Sequence, residues 1–112
     1  MNTTKTTKNR LLKWILGEKN IPKELTELHE YFRSLGPISF TIETSNDGFL
    51  LAKSTNFRYG SMVTSGENMK ELDENIKDAI LTAFDIPSMY LVETGLQQEG
   101  EIGTEQLTYA LS

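Results

Sequence analysis

Residues 60–87, GSMVTSGENMKELDENIKDAILTAFDIP, decide the fold of this chain. They read as a short strand, a glycine turn, a capped amphipathic helix and a proline stop. Met69, Leu72, Ile76, Ala79, Ile80 and Ala83 recur every three or four residues and so form one helical stripe. Asn68 offers a side-chain oxygen to a backbone N–H at the helix start, and Glu71, three residues on, reaches back in the manner of a capping box. Pro87 cannot extend the helix and biases Ile86 toward an extended conformation.

Working outward, Ile38, Phe40 and Ile42 alternate with Ser39, Thr41 and Glu43, which predicts a strand with one buried and one wet face. Ser45, Asn46, Asp47 and Gly48 follow as a hairpin turn, since Asn, Asp and Gly tolerate the left-handed conformations a tight turn requires. The second strand, over 49–54, has Phe49 and Leu51 on one face and Leu50 and Ala52 on the other, so something must cover each face. A third strand is expected over 61–65 and a fourth over 88–93. A right-handed crossover through the central helix would lay that fourth strand parallel to a neighbour, most simply the first. Ahead of the sheet the pattern predicts helices over 8–16 and 22–35. Pro22 opens the second of these, and Leu25, Leu28, Phe32 and Leu35 form its stripe.

The expected fold is therefore α+β: an antiparallel three-stranded β-sheet extended by a fourth strand after a crossover helix (βββαβ), preceded by two N-terminal helices. Residues 1–37 form a basic helical extension and 38–93 the α+β domain. Residues 94–112, rich in Gly, Gln and Glu, read as an acidic flexible tail in which 107–111 docks weakly at most.

Composition narrows the function. Hydrophobic residues make up 38% of the 112 and charged residues 24%, as suits a globular domain with a modest core. No apolar run approaches the roughly 20 residues that span a bilayer, and the cluster over 11–16 is too short and too interrupted for a signal peptide. Cysteine is absent, which excludes disulfides and thiolate metal sites and makes a cytoplasmic location the default. Residues 1–23 carry six Lys or Arg against one Glu, whereas residues 24–112 carry five basic against fifteen acidic groups. The negative body repels nucleic-acid phosphates and attracts a basic partner; the basic end does the reverse.

Asn46, Asp47, Gly48 and Phe49 in the hairpin, Thr64, Ser65, Gly66, Glu67 and Asn68 in the turn, and Glu71, Leu72, Asn75, Ile76, Ala79 and Ile80 in the helix together resemble the HicB antitoxin family, over residues 38–93. The resemblance implies a reduced ribonuclease-H-like fold, a dimer, and neutralisation of a small basic HicA-type RNA-cleaving toxin by direct binding. The sequence departs from the family where STNFRYG, residues 54–60, replaces the usual Pro-Asp-Leu-Pro-Gly-Cys segment. Nothing after Val92 looks like the DNA-binding module many members carry, and a segment without Lys or Arg lacks the phosphate contacts such a module needs.

Catalytic, cofactor and metal residues are not expected. His29 is the only histidine and stands without a nucleophile or metal-spaced carboxylates around it. Pairing of helix acids with Lys70 and Lys77 accounts for Asp73 and its neighbours better than a two-metal site built with Glu43 does. Binding candidates are Phe57, Arg58 and Tyr59, which interleave aromatics with a cation between strands, and Leu81, which a helical wheel sets opposite the buried stripe. Asp73, Glu74 and Asp78 form an acidic helix face for a basic partner. Arg10, Lys13 and Trp14 are the candidates for nucleic-acid contact, against the plainer expectation that Trp14 packs on the sheet. The favoured reading is a non-enzymatic, dimeric HicB-like antitoxin that binds a basic toxin-like protein, with weak or no nucleic-acid binding and no membrane. The alternatives are a nucleic-acid-binding protein using the basic N-terminal helices, and an orphan dimeric adaptor.

Overall fold

The computed structural model describes residues 23–100 and 105–112. Helix α1 (Lys23–Leu35) leads into strands β1 (Ile38–Thr44), β2 (Leu50–Ser54) and β3 (Val63–Gly66). Helix α2 (Met69–Ala83) follows, then a 3₁₀ turn (Ser88–Tyr90), a single-turn helix α3 (Leu91–Thr94), and strands β4 (Leu96–Glu99) and β5 (Gln106–Leu111).

The β1–β2 hairpin forms where the turn chemistry puts it. The Ser45 N–H donates to the Phe49 carbonyl at 2.7 Å, and the Ser45 hydroxyl accepts the Phe49 N–H at 3.1 Å. Gly48 takes the left-handed conformation at φ 88° that a Cβ would disfavour. Helix α2 starts as the capping pattern predicts: Asn68 Oδ1 accepts the Glu71 N–H at 2.8 Å, and Glu71 Oε1 accepts the Glu67 N–H at 2.6 Å. The reciprocal bond thus reaches one residue further back than a standard capping box. Strand β3 abuts this first turn at Gly66, where an added Cβ would lie 2.5 Å from the Leu72 nitrogen. Asn75 Nδ2 ties the same helix to the Ser65 carbonyl at 2.7 Å.

The sheet overturns the expected architecture. It has five strands in the order β3-β2-β1-β5-β4, and every neighbouring pair is antiparallel. No strand forms over 88–93; those residues make the 3₁₀ turn and α3 instead. Tyr90, Leu91 and Thr94 turn inward at helical spacing while Met89 and Val92 stay exposed. The Thr94 hydroxyl locks the turn by donating to the Leu91 carbonyl at 2.6 Å and accepting the Leu96 N–H at 3.0 Å. The β-propensity of Tyr90, Leu91 and Val92 yields here to side-chain capping and burial.

The partner of β1 comes from what reads as a tail. Strand β5 lies against β1 with Tyr109 opposite Ile38 and Leu107 opposite Phe40. Leu107 and Tyr109 are buried between exposed or half-buried Gln106, Thr108 and Ala110, so period-two alternation, not overall polarity, governs this segment. The helical expectation changes as well. Among the described residues one helix, α1, precedes the strands in place of two, and residues 8–16 lie outside those described.

One face of the sheet carries the core. Ile38, Phe40, Ile42, Ala52, Leu107 and Tyr109 face inward and join Leu72, Ile76 and Ile80 of α2 and Leu25, Leu28 and Phe32 of α1 in a single cluster. Helix α1 therefore packs on the same side as α2 rather than covering the opposite face. Phe40 and Tyr109 meet edge-on with ring centroids 6.0 Å apart. The Tyr109 hydroxyl donates to Asp73 Oδ1 at 2.7 Å, and Lys77 Nζ lies 3.1 Å from Asp73 Oδ2.

Two measurements check this arrangement. Ile76→Ala, at a fully buried position, is expected to lower stability by about 2–5 kcal/mol. Lys70→Ala, at an exposed ion pair with Glu74, should leave the stability nearly unchanged. Equal urea midpoints for the two would overturn the helix phase. Separately, burial first and then the Asp73 hydrogen bond raise the Tyr109 phenol above its ordinary value. Such a group keeps its proton in the folded state after the unfolded chain begins to ionise near about pH 10. Its contribution is complete below that pH and is lost as the pH climbs above it. The stability of the wild type should therefore fall more steeply than that of Tyr109→Phe between about pH 9 and 11, read from urea midpoints at each pH.

Candidate binding groove

The termination of α2 shapes one wall of the site. The Ile86 N–H bonds the Leu81 carbonyl at 2.9 Å and the Asp85 N–H bonds the Thr82 carbonyl at 3.0 Å. With Asp85 left-handed at φ 59°, this is a Schellman ending, and the apolar pair that accompanies one, Leu81 and Ile86, is buried. Leu81 is 1% exposed, so it is not the free partner-facing leucine that the helical wheel suggests. The wheel treats the helix as isolated, whereas the chain after Phe84 folds back over its last turn.

The segment between β2 and β3 forms the opposite wall and is pinned at both ends. Asn56 Oδ1 accepts the Ser39 N–H at 2.8 Å and its amide donates to the Pro37 carbonyl at 3.0 Å. Ser54 Oγ accepts the Met62 N–H at 2.9 Å. Between these clamps the Arg58 N–H donates to the Tyr31 hydroxyl at 2.9 Å, fixing the loop to α1.

Rings fill the junction. Tyr31 lies 5.4 Å from Phe57, 5.7 Å from Tyr59 and 5.6 Å from Phe84 between ring centroids, in tilted and edge-on arrangements favoured by aromatic quadrupoles. Phe57 is half-buried beneath this cluster, whereas Tyr59 is 73% exposed. Above the cluster opens a groove of about 700 Å³ between α1, the loop and the end of α2. Its floor includes Tyr31, Tyr59 and Phe84, and Leu35 adds exposed apolar surface. Glu27, Glu30 and Asp85 line it as acids and Arg58 as a cation. Arg33 holds Glu30 in a forked pair at 2.6 and 2.7 Å, which leaves Glu27 and Asp85 as the carboxylates without an ion-pair partner among the described residues. The arrangement can seat an apolar or aromatic side chain and hold a cation beside it through carboxylates and ring faces.

Of the residues singled out from sequence, Phe57, Arg58 and Tyr59 come together here, Phe57 as support and the other two at the surface. The α2 acids do not join them. Asp73 is engaged by Tyr109 and Lys77, and Glu74 by Lys70 at 2.8 Å, while Asp78 is exposed along the helix. Glu43 stands on the opposite face of the sheet from α2, so it does not converge with these acids on a metal. No group of three or more potential metal ligands occurs among the described residues. His29 is exposed on α1 and lines a separate depression with Arg33, Glu99 and Leu111. Arg10, Lys13 and Trp14 lie outside the described residues. No helix among the described residues is long and apolar enough to cross a membrane.

The groove contributors that sequence reading misses include Tyr31, Glu27, Glu30, Phe84 and Asp85. Tyr31 stands three residues after Leu28 on the helical stripe, a spacing that marks it as inward-facing. Phe84 and Asp85 carry no such signal, because their role follows from how the helix ends. Comparison with known proteins finds no matching family model, no matching curated protein and no matching solved structure.

Support and surface are separable by mutation. Phe57→Ala should lower stability by about 1–3 kcal/mol, less than truncation of a fully buried Phe because this ring is half-buried. Tyr59→Ala, at a largely exposed ring, should change it by under about 0.5 kcal/mol. Chemical denaturation of both variants checks the assignment, and a large loss in Tyr59→Ala would make that ring structural.

Proposed function

We propose that this chain is a non-enzymatic binding protein whose partner is a small basic protein, and that it acts as the HicB-like resemblance implies, by neutralising a HicA-type RNA-cleaving toxin. The observation that carries the reading is the groove: an exposed Tyr59 beside a packed aromatic floor, with Glu27 and Asp85 at its margin. Tyrosine and other aromatics seated in desolvated pockets dominate protein–protein binding energy, and carboxylates around them favour a basic side chain over an acidic one. The charge balance of residues 24–112, five basic groups against fifteen acidic, draws such a partner and repels nucleic acid.

The parallel fourth strand that a right-handed crossover predicts over 88–93 does not form, and β5 lies antiparallel to β1 in its place. What supports the antitoxin reading is the turn and capped helix, Thr64 to Ile80, together with the acidic aromatic groove.

The test is co-expression with a small basic HicA-type toxin, followed by size-exclusion of the pair and an RNA-cleavage assay. A stable complex with suppressed cleavage is the expected outcome. Tyr59→Ala and Glu27→Lys should each weaken the complex about tenfold or more while leaving the fold intact. RNA binding by the chain alone at about 0.15 M salt should stay in the non-specific range of about 10⁻⁴ to 10⁻⁶ M. Nanomolar RNA binding together with unsuppressed cleavage would overturn this function in favour of a nucleic-acid-binding role.

A further inference from the structure

The groove is aromatic at its floor and acidic at its margin, and one stretch of this chain has the complementary character. Ahead of α1 in the sequence, Leu11, Leu12, Trp14, Ile15 and Leu16 surround Lys13. Residues 1–22 carry Lys5, Lys8, Arg10, Lys13 and Lys19 against Glu18 alone, whereas Glu27, Glu30 and Asp85 line the groove against Arg58. Tyr59 and Leu35 are exposed there and offer apolar surface to cover.

The groove also lies within reach of that stretch. Thr26, Glu27, Glu30 and Ser34 recur along one side of α1, so the groove runs beside this helix. At about 1.5 Å per residue it extends from about 5 to about 18 Å along the axis from Lys23. Six residues, Gly17 to Pro22, join the apolar cluster to α1. Fully extended at about 3.3 Å each, they span about 20 Å. A segment tethered so closely meets the groove at an effective concentration in the range of about a millimolar, which fills a site even where each contact is weak. We propose that the segment over 8–16 docks in the groove of its own chain, with Trp14 against Tyr59 and with Arg10 and Lys13 beside Glu27 and Asp85. A basic partner then has to displace it, and the partner's apparent affinity falls with the fraction of chains whose groove is open. The docking is read on the chain alone; only its competition with a partner rests on the function proposed above.

Trp14 is the sole tryptophan, so its fluorescence reports the docking directly in the full chain with no partner present. Native emission should lie to the blue of that in urea, and acrylamide should quench it less. Tyr59→Ala and Glu27→Lys should each move the emission towards the unfolded position and raise the quenching constant about twofold or more. Both positions are exposed, so far-UV circular dichroism should be unchanged in either variant. Glu43→Lys, on the opposite face of the sheet, should leave emission and quenching as in the wild type. The native spectrum should also hold from about 1 to 100 µM, as docking within one chain does not depend on concentration. Native emission equal to that in urea overturns the proposal. A blue shift indifferent to both groove variants places Trp14 elsewhere and overturns it, and a shift that dilution abolishes overturns it in favour of contact between copies. A chain with solvated Trp14 that still binds the basic partner overturns this docking and leaves the partner reading standing.

Discussion

Strand β5 holds the molecule together by filling the place beside β1. Without it, Ile38 and Phe40 would border solvent on one side, and the core under α2 would lose Leu107 and Tyr109. Tyr109 joins three elements at once: its ring meets Phe40 on β1, its strand pairs along β1 and β4, and its hydroxyl reaches Asp73 on α2. A buried hydroxyl without a partner costs free energy. The position of α2 over the sheet is therefore coupled to the register of β5, and Lys77 completes the charge balance from the next turn of the helix. An acid that looks available for a partner is instead part of the fold.

The groove depends on that same placement of α2. Once the helix is fixed along the sheet, its Schellman ending carries Phe84 to the ring of Tyr31 and presents Asp85 beside α1. The loop after β2 is held by bonds to Pro37, Ser39 and Tyr31, so Tyr59 projects from a fixed base. A preorganised aromatic loses little conformational freedom on binding, which is the physical reason such rings serve as anchors. The strained conformation of Asp85 sits at the margin of this surface, where backbone strain is often retained for function.

The two faces of the sheet differ in kind. The helical face is consumed by the core, and its irregular margin forms the groove. The open face keeps Ser, Thr and Gln over β5 and β1 and exposes aliphatic side chains only near β3. Alternation along β1 and β5 sets this contrast, because Ile38, Phe40, Ile42 and Leu107 face inward and are each followed by an outward polar residue.

Local pattern by itself determined the elements whose signals are local. The capped helix Met69–Ala83, the hairpin at Ser45 to Gly48 and the strand Ile38–Thr44 follow from periodicity, side-chain capping and turn chemistry acting within a few residues. Helix α1 and the aromatic loop at Phe57 to Tyr59 are legible for the same reason. Tertiary structure alone decided that β5 enters the sheet, that residues 88–93 coil rather than extend, and that Leu81 is buried. Each of these depends on partners distant in sequence or on how the chain turns after a helix. The Leu107 to Leu111 alternation is present in the sequence, but its five residues are too few to outweigh the polar segment before them until β1 supplies a hydrogen-bonding edge. Strand pairing is a non-local choice, and a strand's fate is set by the edge available to it.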